Sequence, residues 1–218
     1  MENNSVINNS GVTNYRVAQE QHQQTLRRKV LDDASNLLVR EGPTALTMRR
    51  IAQLVGCSTT VLYTMFGSKQ GLVDELYLRG FDILRQALEA VPYPGNPRDY
   101  IYALCHAYRG FALSNSTYYS IMFLKVIPTY TPSDTNRLLG LENFQLLVQA
   151  VQDSIAPGNV PGDDAWEIAR IIWATLHGHV GLELVGYFDY PGLSPQQRLE
   201  RALQAVVDKL LPTTDSCQ

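Results

Sequence analysis

Cysteine is scarce: the chain has three, Cys57, Cys105 and Cys217, which are scattered, odd in number and without metal-ligand spacing. That pattern argues against a disulfide framework and against a zinc site. Long apolar runs are also missing. The most hydrophobic stretch, 168–188, is interrupted by Arg170, His177, His179 and Glu183, so no membrane span is expected. No basic flank leads into an apolar segment near the N-terminus, so no signal peptide is expected and a cytoplasmic location follows. The chain lacks a glycine-rich phosphate loop, a nucleophile elbow, an HExxH or CxxC pattern and an evident acid–base pair, so no catalytic residue, cofactor or metal is expected. His179 and Glu183 lie four apart on one helical face, but two ligands do not make a metal site.

What is present suffices for a folded core: 218 residues, 45% hydrophobic and 18% charged. The net charge of −3 hides a division. Between residues 16 and 71, Arg16, Arg27, Arg28, Lys29, Arg40, Arg49, Arg50 and Lys69 outnumber Glu20, Asp32, Asp33 and Glu41, while the remainder is acidic. A basic head on an acidic body attracts phosphate where contact is wanted and repels it elsewhere. Cys57 is expected to fill the core of that head, with no basic neighbour beside it to activate the thiol.

The stretch 47–72, TMRRIAQLVGCSTTVLYTMFGSKQGL, organises the head. Thr47 is placed to cap a first short helix, with Leu46 stapled to Ile51, and Gly56 to end it in the left-handed conformation. Ser58 caps a second helix, on which Leu62, Met65 and Phe66 share one face and Thr59, Thr60, Tyr63 and Thr64 another. With Ala52 at the crossing and Ile51, Val55, Cys57, Leu62 and Met65 as the glue, the spacing is that of a helix-turn-helix. Gly67 ends the second helix. Ser68 and Lys69 open a long third one, whose free amides and added lysine suit a phosphate.

The run LTMRRIAQLVGCSTTVLYTMFGSKQGL resembles the DNA-binding signature of tetracycline-repressor-like (TetR family) regulators over about 24–76. The shared features are Leu-Thr, Ile-Ala, Val-Gly, a serine cap, Leu-Tyr followed by Phe, and Ser-Lys. Thr64-Met65 departs from it, where many relatives carry a basic or aromatic residue and a histidine. The segment Trp173-Ala-Thr-Leu-His177-Gly178 is similar to the Trp/His-Gly signature of one C-terminal domain type in the same family.

Along the chain, residues 1–21 are rich in Asn, Gln, Ser and Thr and read as a disordered arm. A helix follows from His22 to Arg40, stopped by Gly42-Pro43. Its Arg27, Arg28 and Lys29 either approach phosphate or form a solvated face. The expected organisation is a helix-turn-helix DNA-binding domain over 22–67, a helical ligand-binding and dimerisation domain over 68–211 and a flexible tail over 212–218. Within the body, helices are expected from Ser68 to about Ala90, from Pro97 to about Leu113, over 117–126 and over 132–155. The last two, over about 163–187 and from Ser194-Pro195, look like a pairing hairpin. Glycines in the first of these suggest close helix approach, and Leu199, Leu203, Val206 and Leu210 form one stripe on the second.

The resulting expectation is an all-α chain. Aromatic and histidine side chains, His106, Tyr108, Phe111, Tyr119, Phe123, Trp173 and His177 with Tyr118 and Trp166 near them, are candidates to line a cavity for a small molecule. The family resemblance implies a homodimeric repressor, paired through the last two helices and released from a palindromic double-stranded DNA operator by a small effector. Thr47, Arg49, Ser58, Thr59, Thr60, Tyr63, Thr64 and Lys69 would form the DNA contact. Two alternatives stay open at this stage: a helical ligand-binding protein or enzyme in which DNA binding is incidental, and a sequence-indifferent architectural DNA binder.

Overall fold

The computed structural model describes residues 10–155 and 164–211, and among these the secondary structure is entirely helical. The order is α1 (Ser10–Glu41), α2 (Met48–Val55), α3 (Thr59–Phe66), α4 (Lys69–Glu89) and α5 (Pro97–Ser114), followed by α6 (Ser116–Phe123), α7 (Asp134–Glu142), α8 (Gln145–Ser154), α9 (Asp164–Leu184) and α10 (Pro195–Leu210). No described helix is long and apolar enough to cross a membrane. The chain divides into two compact units after Leu76, inside α4, rather than at the expected Gly67/Ser68 junction. Leu72, Val73 and Leu76 are buried, so the first turns of α4 belong to the head's unit.

The head's core consists of Val30, Ala34, Leu37 and Leu38 from α1, Leu46, Ile51 and Ala52 around α2, Leu62 and Phe66 from α3, and Leu72 from α4. Burying each large aliphatic side chain contributes about 1.5–3 kcal/mol. Arg27 clamps this core from outside. Its guanidinium pairs with Glu75 through two nitrogens and lies 5.1 Å from the Phe66 ring centroid. Lys29 pairs with Asp33 at 2.8 Å. Two of the three α1 cations considered for phosphate are therefore engaged within the head.

Helix α1 starts at Ser10, so the arm expected to be disordered through Gln21 is helical from that point, and residues 1–9 lie outside the described region. From Tyr15 to Thr25 every residue is exposed. Low apolar content there marks a helix with nothing to pack against, not the absence of a helix. Good helix formers such as Ala18, Gln19, Glu20 and Gln21 extend a helix already nucleated by its packed turns. The tail expected over 212–218 also lies outside the described residues.

In the second unit, Asn96 caps α5 by accepting from the amides of Arg98 and Asp99, with Pro97 in the first turn. Helix α6 stops at Phe123, and Lys125 follows with φ of +51°. The single helix expected over 132–155 is two helices, broken at Asn143 and Phe144. There the Phe144 amide reaches back three residues to the Leu141 carbonyl instead of four, and Asn143 is pulled inside. Helix α10 begins with the expected capping box of Ser194 and Gln197. Its Leu199, Leu203 and Val207 are fully buried, as are Ile172 and Ala169 of α9. The Leu199 and Leu203 part of the expected pairing stripe thus packs within its own unit.

Candidate functional site

Helices α2 and α3 are set by their ends. The Thr47 hydroxyl accepts from the Arg50 amide at 3.2 Å and the Ser58 hydroxyl from the Val61 amide at 3.3 Å. Gly56 takes the left-handed conformation between them, with φ of +78° and ψ of 34°. The turn into α4 is tighter still. A Cβ on Gly71 would stand 2.1 Å from the Phe66 carbonyl oxygen, so only glycine permits this approach. The Gly71 amide donates to the Ser68 hydroxyl at 3.0 Å.

With Leu62 and Phe66 turned inward, α3 presents Thr60, Tyr63 and Thr64 to solvent, while Thr59 and Met65 are half-buried. Tyr63 is 51% exposed, high for an aromatic ring. Thr64 donates its hydroxyl proton to the Thr60 carbonyl at 2.9 Å, leaving its oxygen lone pairs facing out. Thr47 and Ser58 use their oxygens as caps and keep a proton to donate. Around this face stand two exposed cations, Arg49 on α2 and Lys69 at the start of α4, that have no ion pair among the described residues. Arg50, by contrast, pairs with Glu41 at 2.9 Å and holds that carboxyl below its ordinary range. The arrangement is a polar, cation-flanked helix face suited to the major groove and its phosphates.

The second unit holds a cavity of about 580 Å³. Leu84, Leu88, Leu104 and Leu176 supply aliphatic walls. An aromatic chain runs along another side: Phe81 to Phe123 at 5.6 Å, Phe123 to Trp173 at 6.0 Å, Trp173 to Phe144 at 6.0 Å and Phe144 to Trp166 at 5.6 Å between ring centroids. Of the side chains expected here, Tyr108, Phe123 and Trp173 line the cavity. Tyr119 and His177 stand behind it: the Tyr119 hydroxyl meets His177 Nδ1 at 2.7 Å, and the His177 ring is 5.2 Å from those of Trp173 and Phe123. Burial raises the Tyr119 phenol to about 12, and raises that of Tyr108 as well. Phe111 is packed in the core without lining the cavity. His106 faces outward, its Nε2 2.9 Å from Glu200.

Sequence reasoning missed Arg137, Asn143, Phe144 and Arg170 among the lining residues. A signal existed for one of them: Trp166, Arg170 and Trp173 repeat at helical spacing along α9 and so share a face. None existed for Asn143, because the break between α7 and α8 has no proline or exposed glycine to mark it. Cys105 also lines the cavity, its thiol pushed up to about 12 by burial and therefore unreactive. The His179–Glu183 pair is not free for a metal: Glu183 accepts from Arg109 at 2.8 Å, and the described residues hold no cluster of three metal-binding side chains.

A helix-turn-helix with a solvent-facing polar second helix, joined to a helical unit around an apolar cavity, defines a DNA-binding transcriptional regulator. The chain belongs to the tetR family of bacterial regulatory proteins, whose DNA-binding domain matches residues 30–76, with a tetracyclin repressor-like C-terminal domain matching residues 101–207. It is 25% identical over 163 residues to the uncharacterised HTH-type transcriptional regulator Rv0681 of Mycobacterium tuberculosis, covering 75% of this chain and 72% of that protein. Among solved structures, a protein of unknown function from Rhodococcus sp. RHA1 superposes with a TM-score of 0.71 at 27% identity, covering 85% of this chain and 95% of the other. BioQ, known from Mycobacterium smegmatis and solved with its double-stranded DNA operator, shares the fold with a TM-score of 0.59 at 22% identity, over 86% of this chain and 98% of that one. The family is one of transcription regulators, not enzymes, which disfavours the reading in which DNA binding is incidental.

Proposed function

We propose that the protein is a cytoplasmic homodimeric repressor that leaves a near-palindromic operator when a small molecule occupies the body's cavity. The observation that carries this reading is an aromatic-lined cavity of about 580 Å³ in a chain whose other unit exposes a DNA-reading helix. Two α3 helices would enter successive major grooves about 34–36 Å apart. Thr59 and Thr60 would reach base edges and Tyr63 and Lys69 phosphates. Thr47 and Arg49 would hold the flanking backbone, with Ser58 and Thr64 beside them. The complex of BioQ with its operator supports duplex DNA as the partner.

Pairing is assigned to one face of α9 and the turn that follows it. Ile171, Thr175, Gly178, Leu182 and Val185 recur at alternating spacings of four and three, the period of a helix seam. Ile171, Leu182 and Val185 are 44%, 45% and 64% exposed, unusual for large aliphatics outside an interface. A Cβ on Gly178 or Gly181 would meet nothing within 4 Å among the described residues, which leaves room at these two helix glycines for the close approach of a second helix.

Because α4 contributes residues to both units, a ligand that favours one setting of α4 can bias the spacing of the two α3 helices, by no more than its differential affinity for the two states. The test is to select genomic fragments on the protein, footprint them and challenge the complexes with fractionated metabolites. Two half-sites one helical turn apart and release by a fraction are expected. Indiscriminate fragments would overturn sequence-specific repression, and complexes that no fraction releases would overturn its control by a small molecule.

A further inference from the structure

We infer that the cavity takes an amphipathic organic acid carrying a hydroxyl or amide donor near its charged end; the inference deepens, and rests on, the small-molecule reading above. Three side chains that break an otherwise apolar lining carry it. Asn143 is 8% exposed, and its Oδ1 is buried in the wall with no hydrogen-bond partner among the described residues. Such an oxygen loses its hydration on folding and gains nothing, a state folded proteins avoid unless a ligand supplies the missing proton. An amide oxygen accepts only, so the ligand group that meets it is an O–H or an N–H.

Charge gives the second part. Among the described residues, the ionised side chains lining the cavity are Arg137 and Arg170, and no carboxylate lines it. Each has a solvent-side partner three residues earlier, Asp134 at 3.1 Å and Glu167, and both arginine side chains remain 56% exposed. Exposed pairs of this kind are weak and do not commit the guanidinium. An anion brought to either arginine meets a planar fork that favours carboxylate geometry.

Asn143 and Arg170 lie toward one end of the aromatic chain. Phe144, next to Asn143, is 5.6 Å from Trp166, and the Arg170 guanidinium lies 5.8 Å from the same indole. Arg137 shares a face of α7 with Gly140 and Leu141, which also line the cavity. Beyond them the leucines and aromatic rings leave space for an apolar body alone.

Both tryptophans of the chain, Trp166 and Trp173, line the cavity, so indole fluorescence reports its occupancy directly. The probes are 3-hydroxydecanoate, decanoate and methyl 3-hydroxydecanoate, titrated into the full chain. The hydroxy acid is expected to bind about tenfold more tightly than its methyl ester, and more tightly than decanoate. The gap to the ester should close in the double variant Arg137→Gln/Arg170→Gln, and the gap to decanoate in Asn143→Leu, with thermal unfolding used to confirm that each variant is folded. Equal binding of acid and ester, gaps that survive in these variants, or no saturable response to any probe would overturn the inference. Operator release is measured in parallel. Acid binding that leaves DNA bound upholds this ligand class and counts against ligand-controlled repression; release by a metabolite fraction with no acid binding does the reverse.

Discussion

The Tyr119 hydroxyl lies 2.7 Å from Nδ1 of His177, behind the aromatic wall of the cavity, with the Tyr108 hydroxyl 3.1 Å from the same nitrogen. Burial holds the His177 imidazole below its ordinary value of 6.5, and does the same to His179 despite the opposing influence of Glu183. A folded pKa below the unfolded one means that the unfolded chain binds the proton first. The stabilisation is complete above the unfolded pKa and is lost as pH falls through the folded one. Thermal unfolding followed from about pH 8 to about pH 5 should show stability declining below about 6.5. His177→Gln, which keeps an acceptor but does not titrate, should flatten that decline, and His177→Gln/His179→Gln should flatten it further. An unaltered slope would remove these histidines from the account.

Gly71→Ala is expected to damage the head more than any surface change. The added methyl would sit 2.1 Å from a main-chain oxygen, which no rotamer change relieves. Chemical denaturation should show a loss of about 1–3 kcal/mol, the usual range for overpacking, together with weakened DNA binding. A neutral substitution would mean that the α3–α4 corner is not the rigid support described.

Lys69 has no ion pair among the described residues, whereas Lys29 is held by Asp33 at 2.8 Å. Lys69→Ala should therefore weaken binding to all sequences and reduce the slope of log affinity against log salt by about one unit. Lys29→Ala should leave the slope unchanged. The pair of titrations separates a phosphate contact from a general loss of positive charge.

Tyr63 is 51% exposed, and its ring has little to do in the isolated head. Tyr63→Ala should change stability by no more than about 0.5 kcal/mol, as surface substitutions do, while removing protection of the operator in a footprint. Persistence of the footprint would show that the recognition face is misassigned.

Leu182→Glu places a charge in the middle of the exposed α9 seam. Sedimentation should show a monomer with unchanged helical content, and operator affinity should fall because two half-sites no longer bind as one. A dimer that survives this substitution uses another surface.

Much of the head was legible in the sequence because its signals are local. Thr47, Gly56, Ser58 and Gly67 mark helix ends through bonds and backbone angles that involve only a few neighbouring residues, and the apolar period around Leu62 and Phe66 sets which face is left for DNA. The same holds for Asn96-Pro97 and for the Ser194–Gln197 box, where one residue satisfies the amides of the next turn. Composition misled where no local bond decides: the turns from Ser10 to Gln21 are polar yet helical, since extending a helix requires no core.

What only the tertiary structure decided is which of many apolar and aromatic residues face a void, because that depends on side chains far apart in the chain. His106 and Phe111 read like Tyr108, yet one pairs with Glu200 on the surface and the other fills the core, while Tyr108 borders the cavity. The break at Asn143 and the packing of Leu199 and Leu203 against their own unit were decided in the same way. Helix ends are chosen by neighbours in sequence, whereas an unfilled space and an unpartnered oxygen exist only once distant helices have closed around them.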